Sequence, residues 1–378
     1  TNFNTYGTET NWSSIVPQEI LDKVNNGWSG TDWFEEYRNK DAMQQSHSFS
    51  LTGGSDKSKF ALSVNYSKNE GIMGGKEASN YERYGGRINS DHILFKSEKD
   101  GRNIIKIGEN ISYWYHKSHD LAEGNGYWNI MKNAYTASPL VPVYNEDGSL
   151  TNYTDNGSGW SSMIFSNPLE GLYNGEYNAL NRSRDFGVGA TLFLEVEFIK
   201  NLKYRGQVNT GYSGSNYRNF SKPYSSSSTN QSSNYGLQVG QSQSSSITVE
   251  NTLSYILPDL GENHIDVLVG QSIEKSAWSA SLSVTASDGK DNVNSLVLNG
   301  FKYAQLSNFS NITGYSGDGN EGQGSIASVF GRINWNLKET YMATVIMRGD
   351  GSNNFAKGNR WGFFPSASAG WVVTNESF

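Results

Sequence analysis

From Arg184 to Lys200 apolar and polar residues alternate with a period of two. Phe186, Val188, Ala190, Leu192, Leu194, Val196 and Phe198 fall on one face. Asp185, Gly187, Gly189, Thr191, Phe193, Glu195 and Glu197 fall on the other. Successive residues of a strand point to opposite sides, so the pattern describes a strand with one oily and one polar face. Phe193 is the exception. The same alternation returns in Phe60–Leu62–Val64–Tyr66, in Leu202–Tyr204–Gly206–Val208–Thr210–Tyr212, and in the stripe Ile247, Val249, Leu253, Tyr255. It continues through Ile265–Val267–Val269, Val329–Ile333–Trp335, Tyr341–Ala343–Val345–Met347 and Ala367–Ala369–Trp371–Val373.

The pattern predicts about eleven strands, over 47–53, 58–68, 81–91, 103–116, 183–199, 202–214, 244–257, 263–276, 325–337, 340–349 and 362–374. Their connections alternate in length. Short ones include Gly53–Lys57, His92–Arg102, Lys200-Asn201, Pro258–Glu262 and Lys338-Glu339; long ones cover 69–80, 117–182, 215–243, 277–324 and 350–361. Short turns on one side and long loops on the other mark an up-and-down transmembrane barrel, with short periplasmic turns and long extracellular loops. Odd-numbered strands then run inward and even-numbered ones outward. Many strands exceed the roughly 9–11 residues that cross a bilayer, so they should project beyond it.

Composition agrees. The 378 residues include 22 Tyr, 17 Phe, 10 Trp, 41 Gly and only 7 Pro, with 35% hydrophobic residues overall. A disordered chain would lack the aromatic residues. A mean hydropathy of −0.60 does not exclude a membrane, because only one face of each strand meets lipid. No run of about 18 apolar residues suggests a transmembrane helix. The chain has no cysteine, hence no disulfide framework or thiol chemistry, and its net charge of −7 argues against a nucleic-acid partner. Tyr113, Trp114, Tyr115, Tyr212, Trp335 and Tyr341 fall near strand ends, where rings suit the lipid headgroup region. The first 46 residues read differently: Pro17–Val24 and Asp32–Arg38 look helical or irregular. Residues 1–46 are therefore expected to precede a barrel over 47–378. Closed single-chain bacterial barrels use even strand numbers, so eleven strands suggest part of a larger wall.

Three stretches carry a resemblance. The first is Gly30-Thr31-Asp32-Trp33-Phe34-Glu35-Glu36 followed by Ser48–Phe60; the second is Tyr81–Tyr84 through Arg87–Asp91. The third is Gly331-Arg332-Ile333-Asn334-Trp335 with Arg348–Phe355 and Asn359–Trp371. Together they resemble the SusC/RagA-type TonB-dependent outer-membrane transporters of Bacteroidetes. The resemblance implies an all-β fold: a barrel of about 22 strands closed around a plug, of which this chain supplies about half. It makes residues 1–46 the end of the plug and its connection to the barrel. It also implies import of a large nutrient, oligosaccharide by family frequency or peptide, under a SusD-like surface lipoprotein lid. TonB would act through a segment outside this chain, and outer-membrane lipid would surround the wall.

No catalytic constellation assembles from the motifs, so the chain is expected not to be an enzyme and to need no cofactor. His116 and His119 form a lone His-x-x-His, weak as a metal pair. Asn145-Glu146-Asp147-Gly148 and Asp318-Gly319-Asn320-Glu321 cluster oxygens as a structural calcium site would, but neither completes an EF-hand loop, and solvated turns explain them better. The candidate contacts for cargo or lid are loop rings: Trp128, Tyr135, Tyr144, Trp160, Tyr173 and Trp361. Flat rings stack on sugars and anchor protein interfaces, and they also pack within their own loop. Arg205, Gln207, Asn209 and Glu195 belong to the polar face and would meet plug, cargo or water. Two other classes share the alternation. A passive porin would conduct ions, whereas a plugged barrel would not; a secreted β-sandwich adhesin would stay soluble without detergent.

Overall fold

The computed structural model describes residues 11–74, 79–119, 130–154, 160–162, 164–174, 182–299, 301–316 and 323–376. Fourteen strands are described: β1 (Gln44–Gly54), β2 (Ser58–Glu70), β3 (Asn80–Lys96), β4 (Asn103–His119), β5 (Arg182–Ile199), β6 (Leu202–Ser221), β7 (Tyr224–Ser225), β8 (Gln231–Ser232), β9 (Asn234–Ile256), β10 (Asn263–Gly289), β11 (Ile312–Ser316), β12 (Gly324–Leu337), β13 (Tyr341–Ser352) and β14 (Trp361–Trp371). Eleven of them form one antiparallel sheet in the order β1-β2-β3-β4-β5-β6-β9-β10-β12-β13-β14; β11 adds to β10, and β7 pairs with β8 apart. Every neighbour on that path is a neighbour in sequence or is separated only by a short hairpin or added strand. This is the meander expected of a barrel wall, and all eleven strands predicted from the alternation are present.

Register turns the alternation into two continuous faces. Leu51 opposes Leu62, Leu62 opposes Ile88, Ile88 opposes Ile111, and Ile111 opposes Ala190. Further along, Val208 opposes Val249, Val249 opposes Ile273, Ile333 opposes Val345, and Val345 opposes Ala367. Side chains directly opposite one another share a face, so these pairs build one apolar belt. The belt is exposed: Leu192, Ile273 and Val329 each present at least half of their surface, and Val249 more than a third. An apolar belt of this extent needs an apolar solvent. Phe186 and Phe198 lie twelve residues apart on β5. At about 3.3 Å per residue and a tilt near 45°, that separation gives a height of roughly 28 Å, close to the band of such barrels.

Rings bound the belt at both ends. Toward the long loops, Tyr66, Tyr84, Tyr115 and Phe186 sit in one cross-strand row. Toward the turns, Tyr341 stacks on Trp371 at 6.5 Å, and Trp335 Nε1 donates to Asn263 Oδ1 at 2.8 Å. One polar interruption crosses the belt. Ser90 Oγ donates to Glu109 and lies 2.7 Å from His92 Nε2, and His92 Nδ1 lies 3.0 Å from Ser58 Oγ. The four groups satisfy one another, which lowers the cost of turning them toward an apolar surrounding.

The turns are as tight as the sequence suggests. Lys338 and Glu339 both take positive φ, 57° and 53°, the backbone that a tight hairpin turn matched to strand twist adopts. The loop end departs from expectation. β6 reaches Ser221, β9 starts at Asn234 and β10 reaches Gly289, so much of the expected loops 215–243 and 277–324 is strand. A bulge between Ser276 and Ser279 shifts the β9–β10 register. Beyond it, Ala286 joins Phe220, Leu237, Val293, Val297, Ala304 and Phe309 in a buried cluster.

Residues 11–43 also lie at the loop end. They contribute α1 (Gln18–Asn25) and α2 (Trp33–Tyr37), the latter capped by Asp32 Oδ1, which accepts from Phe34 N and Glu35 N at 3.1 Å each. Among the described residues no helix is long and apolar enough to cross a membrane.

The two faces predict unequal tolerance of charge. Leu192→Arg should destabilise the full-length protein in lipid vesicles by about 2–4 kcal/mol. Thr191→Arg, on the opposite face, should cost no more than its bond to Asn209, about 1 kcal/mol. Urea unfolding in vesicles measures both, and equal losses would contradict the assigned faces.

Candidate functional site

Two places present chemistry: the polar face and the platform built at the loop end. On the polar face Arg205 lies 4.0 Å from the Phe193 ring centroid, pairs with Glu195 at 3.6 Å and donates to Gln207 Oε1 at 3.3 Å. Thr191 Oγ1 donates to Asn209 Oδ1 at 2.7 Å, and Lys106 pairs with Asp91. The structure thus gathers all four polar-face residues singled out in the sequence. It also accounts for Phe193. Its ring lies on Gly108, where a Cβ would come within 2.5 Å, and Arg205 covers its other side. An aromatic ring on a polar face is tolerated here as a stacking surface for cations. Nearer the turns, a recess of about 520 Å³ is bounded by Ile256, Asp266, Leu268, Arg332, Asn334 and Met342.

The platform is assembled from pieces far apart in sequence. Trp33, Tyr37, Val141, Val143, Phe165, Leu169 and Leu172 share one buried core. Helices α3 (Ile130–Thr136) and α4 (Pro168–Asn174) come from the long loop, and α2 comes from the segment before β1. Polar bonds fasten the two: Thr31 N donates to Pro139 O at 2.8 Å, Thr31 Oγ1 to Val141 O at 2.7 Å, and Trp33 Nε1 to Ser138 O at 2.9 Å. Residue Asn167 is fully buried and saturated. Its Nδ2 lies 2.9 Å from Thr151 O and 3.1 Å from Val143 O, its Oδ1 accepts from Leu169 N, and its backbone N–H donates to Ser226 O at 2.9 Å. The short β7–β8 hairpin is tied in through that last bond and through Tyr153 N to Ser225 O at 2.9 Å.

The sequence-derived rings divide on this platform. Tyr135 is 68% exposed and stacks on Phe34 at 5.8 Å; Tyr144 is 53% exposed. Tyr173 is 38% exposed, and burial with Tyr144 and Glu36 nearby pushes its phenol above the ordinary range. Trp160 instead packs edge-on against Phe165 at 5.7 Å and serves the core. Trp128 lies outside the described residues. Trp361, expected in a loop, opens β14 and lies over Gly351, where a Cβ would come within 2.7 Å of the ring. It shares the apolar face with Phe363 and belongs to the belt's margin. Phe34, the ring under Tyr135, escaped notice because nothing local joins it to a loop a hundred residues away.

The metal candidates fare differently from one another. His116 and His119 are three residues apart on a strand, hence on opposite faces, and His116 Nε2 pairs with Asp185 at 2.7 Å. Asn145–Gly148 is a tight turn in which Asp147 Oδ1 accepts from Ser149 N at 2.9 Å and Ser149 Oγ at 2.6 Å. Those bonds hold the Asp147 carboxyl below its usual range. Residues 318–321 lie outside the described residues. Among the described residues no three His, Cys, Asp or Glu side chains gather as a metal site.

Known proteins place this architecture. A TonB-dependent receptor (P26) of Formosa agariphila is 29% identical over 368 residues, covering 93% of this chain and 32% of the receptor. The TonB-dependent receptor SusC of Bacteroides thetaiotaomicron is 24% identical over 391 residues, covering 97% and 34%. The chain is similar in sequence to TonB-dependent receptors, SusC among them. The solved RagAB peptide transporter superposes with a TM-score of 0.71 at 16% identity, over 92% of this chain and 36% of that one. It shares the fold. No family model matches the chain. The chain spans about a third of the length of the TonB-dependent receptors it matches, and these relatives are named as receptors, not enzymes.

If Asn167 fastens the platform, Asn167→Ala should leave Thr151 O unpaired and deprive the Leu169 amide of its acceptor, at a cost of about 1–3 kcal/mol. Hydrogen exchange should then quicken at the Thr151 and Leu169 amides while the β5–β6 ladder stays protected. Unchanged protection at Leu169, whose amide donates to Asn167 Oδ1, would contradict that role.

Proposed function

We propose that this chain forms part of the wall and the outer platform of a TonB-dependent importer in the bacterial outer membrane. The observation that carries the reading is the belt: an exposed, cross-strand-registered apolar face bounded by rings at both ends, in a chain homologous to SusC. Such a face is stable in lipid and not in water. The polar face then lines the lumen, where Arg205, Phe193, Glu195, Gln207 and Asn209 meet plug, water or passing cargo.

The platform of residues 11–43, 130–154, 160–162, 164–174 and 222–233 lies outside the cell in this reading. It offers Phe34, Tyr135, Tyr144 and Tyr173 to a SusD-like lipoprotein lid or to cargo. Rigid aromatic groups held by a buried core suit both tasks, because little rotamer freedom is lost on contact. The cargo class is a large nutrient, oligosaccharide first and peptide second; the RagAB relative is a peptide transporter by its own description. Energy from TonB reaches the plug through parts of the protein beyond this chain. Among the described residues, strands β1 and β14 each pair on one side only, and in lipid such edges need further strands of the same wall.

The test is uptake of labelled cargo by cells carrying the full-length protein. Removing the TonB system or the partner lipoprotein should abolish uptake, and Tyr135→Ala with Tyr144→Ala should lower it about tenfold at equal surface level. Uptake that survives without TonB, with steady ion conductance in planar bilayers, would make the protein a passive porin.

A further inference from the structure

Immediately beyond the loop-side row of rings, the apolar face of the sheet turns cationic. Lys117 opposes Arg184 across β4 and β5, and Arg182 opposes Arg218 across β5 and β6. All four side chains share the face that carries Tyr115, Phe186, Val188 and Tyr212 farther down. Like charges directly opposite one another destabilise a sheet unless something neutralises them. The neighbouring carboxylates are engaged elsewhere. Glu82 lies 3.6 Å from Lys117 but also accepts from the Tyr66 and Tyr84 hydroxyls at 3.1 and 2.6 Å. Asp185 points to the opposite face and bonds His116 and Ser183. Among the described residues, no carboxylate pairs with Arg182, Arg184 or Arg218.

What holds the arginines in place is not an anion. The Phe301 ring sits between Arg182 and Arg218, 4.6 and 4.0 Å from their guanidinium carbons, and Arg218 Nη1 donates to Ala304 O at 3.1 Å. Arg182 Nε is buried without a hydrogen-bond partner. Burial, with Arg184 and Arg182 alongside, holds the Arg218 guanidinium below its ordinary range. The three arginines are thus prearranged and lack a carboxylate partner among the described residues, while Lys117 shares Glu82 with two tyrosines.

Resting on the membrane reading above, we infer that Arg182, Arg184, Arg218 and Lys117 bind the phosphate headgroup of an outer-leaflet lipid whose acyl chains lie along the apolar face. Guanidinium groups suit phosphate because their paired N–H donors match its oxygens. A lipid is favoured over a free anion by continuity: Phe186, Val188 and Tyr212 lead directly from the patch into the belt, so one molecule meets both surfaces. The position, one to two residue rows beyond the rings, is where headgroups lie.

The test uses the full-length protein in mild detergent and native mass spectrometry, with diphosphoryl lipid A and its dephosphorylated form as probes. The wild type should retain the phosphorylated lipid at least about tenfold more strongly, and excess inorganic phosphate should not displace it. Arg184→Gln with Arg218→Gln should remove that preference and leave retention of the dephosphorylated lipid unchanged. Arg184→Gln alone, at an exposed residue outside the Phe301 sandwich, should lower the preference about threefold and guards against disturbance of the loop. Equal retention of both lipids by the wild type would overturn the inference, as would displacement by inorganic phosphate. Retention of the preference in the double variant, with loss of a co-purifying acidic protein, would overturn it in favour of a protein occupant. A protein that fails to enter vesicles at all would instead defeat the membrane reading.

Discussion

Everything in this molecule depends on how backbone hydrogen bonds are satisfied by neighbouring strands. In a bilayer no water is present to pair a free N–H or C=O, so a spanning strand must find its partners along both edges. The meander from β1 to β14 does this strand by strand through hairpins, with short turns at one end and long excursions at the other. Once the ladders fix the register, each side chain's face is fixed as well, because a slip of one residue would exchange the belt for the polar face. The apolar belt, the rows of rings and the lumen-side network are consequences of that one arrangement.

The same ladders serve differently once they leave the lipid. β6, β9 and β10 continue well past the ring row, and there the sheet buries Phe220, Leu237 and Ala286 under a loop. The faces keep their geometry but change their surroundings, so the surface proposed to meet acyl chains below becomes a packing surface above. The platform is the second product of this end. Its core joins a segment before β1 to a loop after β4, and Asn167 satisfies carbonyls from two other stretches. Exposed rings such as Tyr135 and Tyr144 are carried on that core, which makes them a fixed surface rather than a mobile one.

How much of this the sequence disclosed follows from where the signal resides. The eleven wall strands were legible because, in the belt, one face must be apolar and the other need not be. The outer halves of β9 and β10 were not. Gln241 to Ser246 is polar on both faces, and outside the lipid only backbone pairing defines it as strand. Trp361 was expected in a loop because glycine and asparagine surround it, yet pairing across Gly351 extends β14 to include it. Phe193 broke the alternation for a reason visible only in three dimensions, the space above Gly108. Of the candidate rings, exposure sorted Tyr135, Tyr144 and Tyr173 from Trp160, and no sequence pattern reports exposure within a loop. The arginine cluster was equally hidden, since Arg182 and Arg218 meet only through the β5–β6 register.

The most direct test of the central claim is spin-label accessibility along β5. The stretch contains no cysteine, so single cysteines at positions 187 to 196 can each carry a nitroxide in the full-length protein reconstituted in lipid. The account predicts oxygen accessibility that rises at 188, 190, 192, 194 and 196 and falls at the positions between them, with a water-soluble relaxant showing the opposite phase. Accessibility without a period of two, or with the water-soluble reagent favouring the even positions, would contradict it.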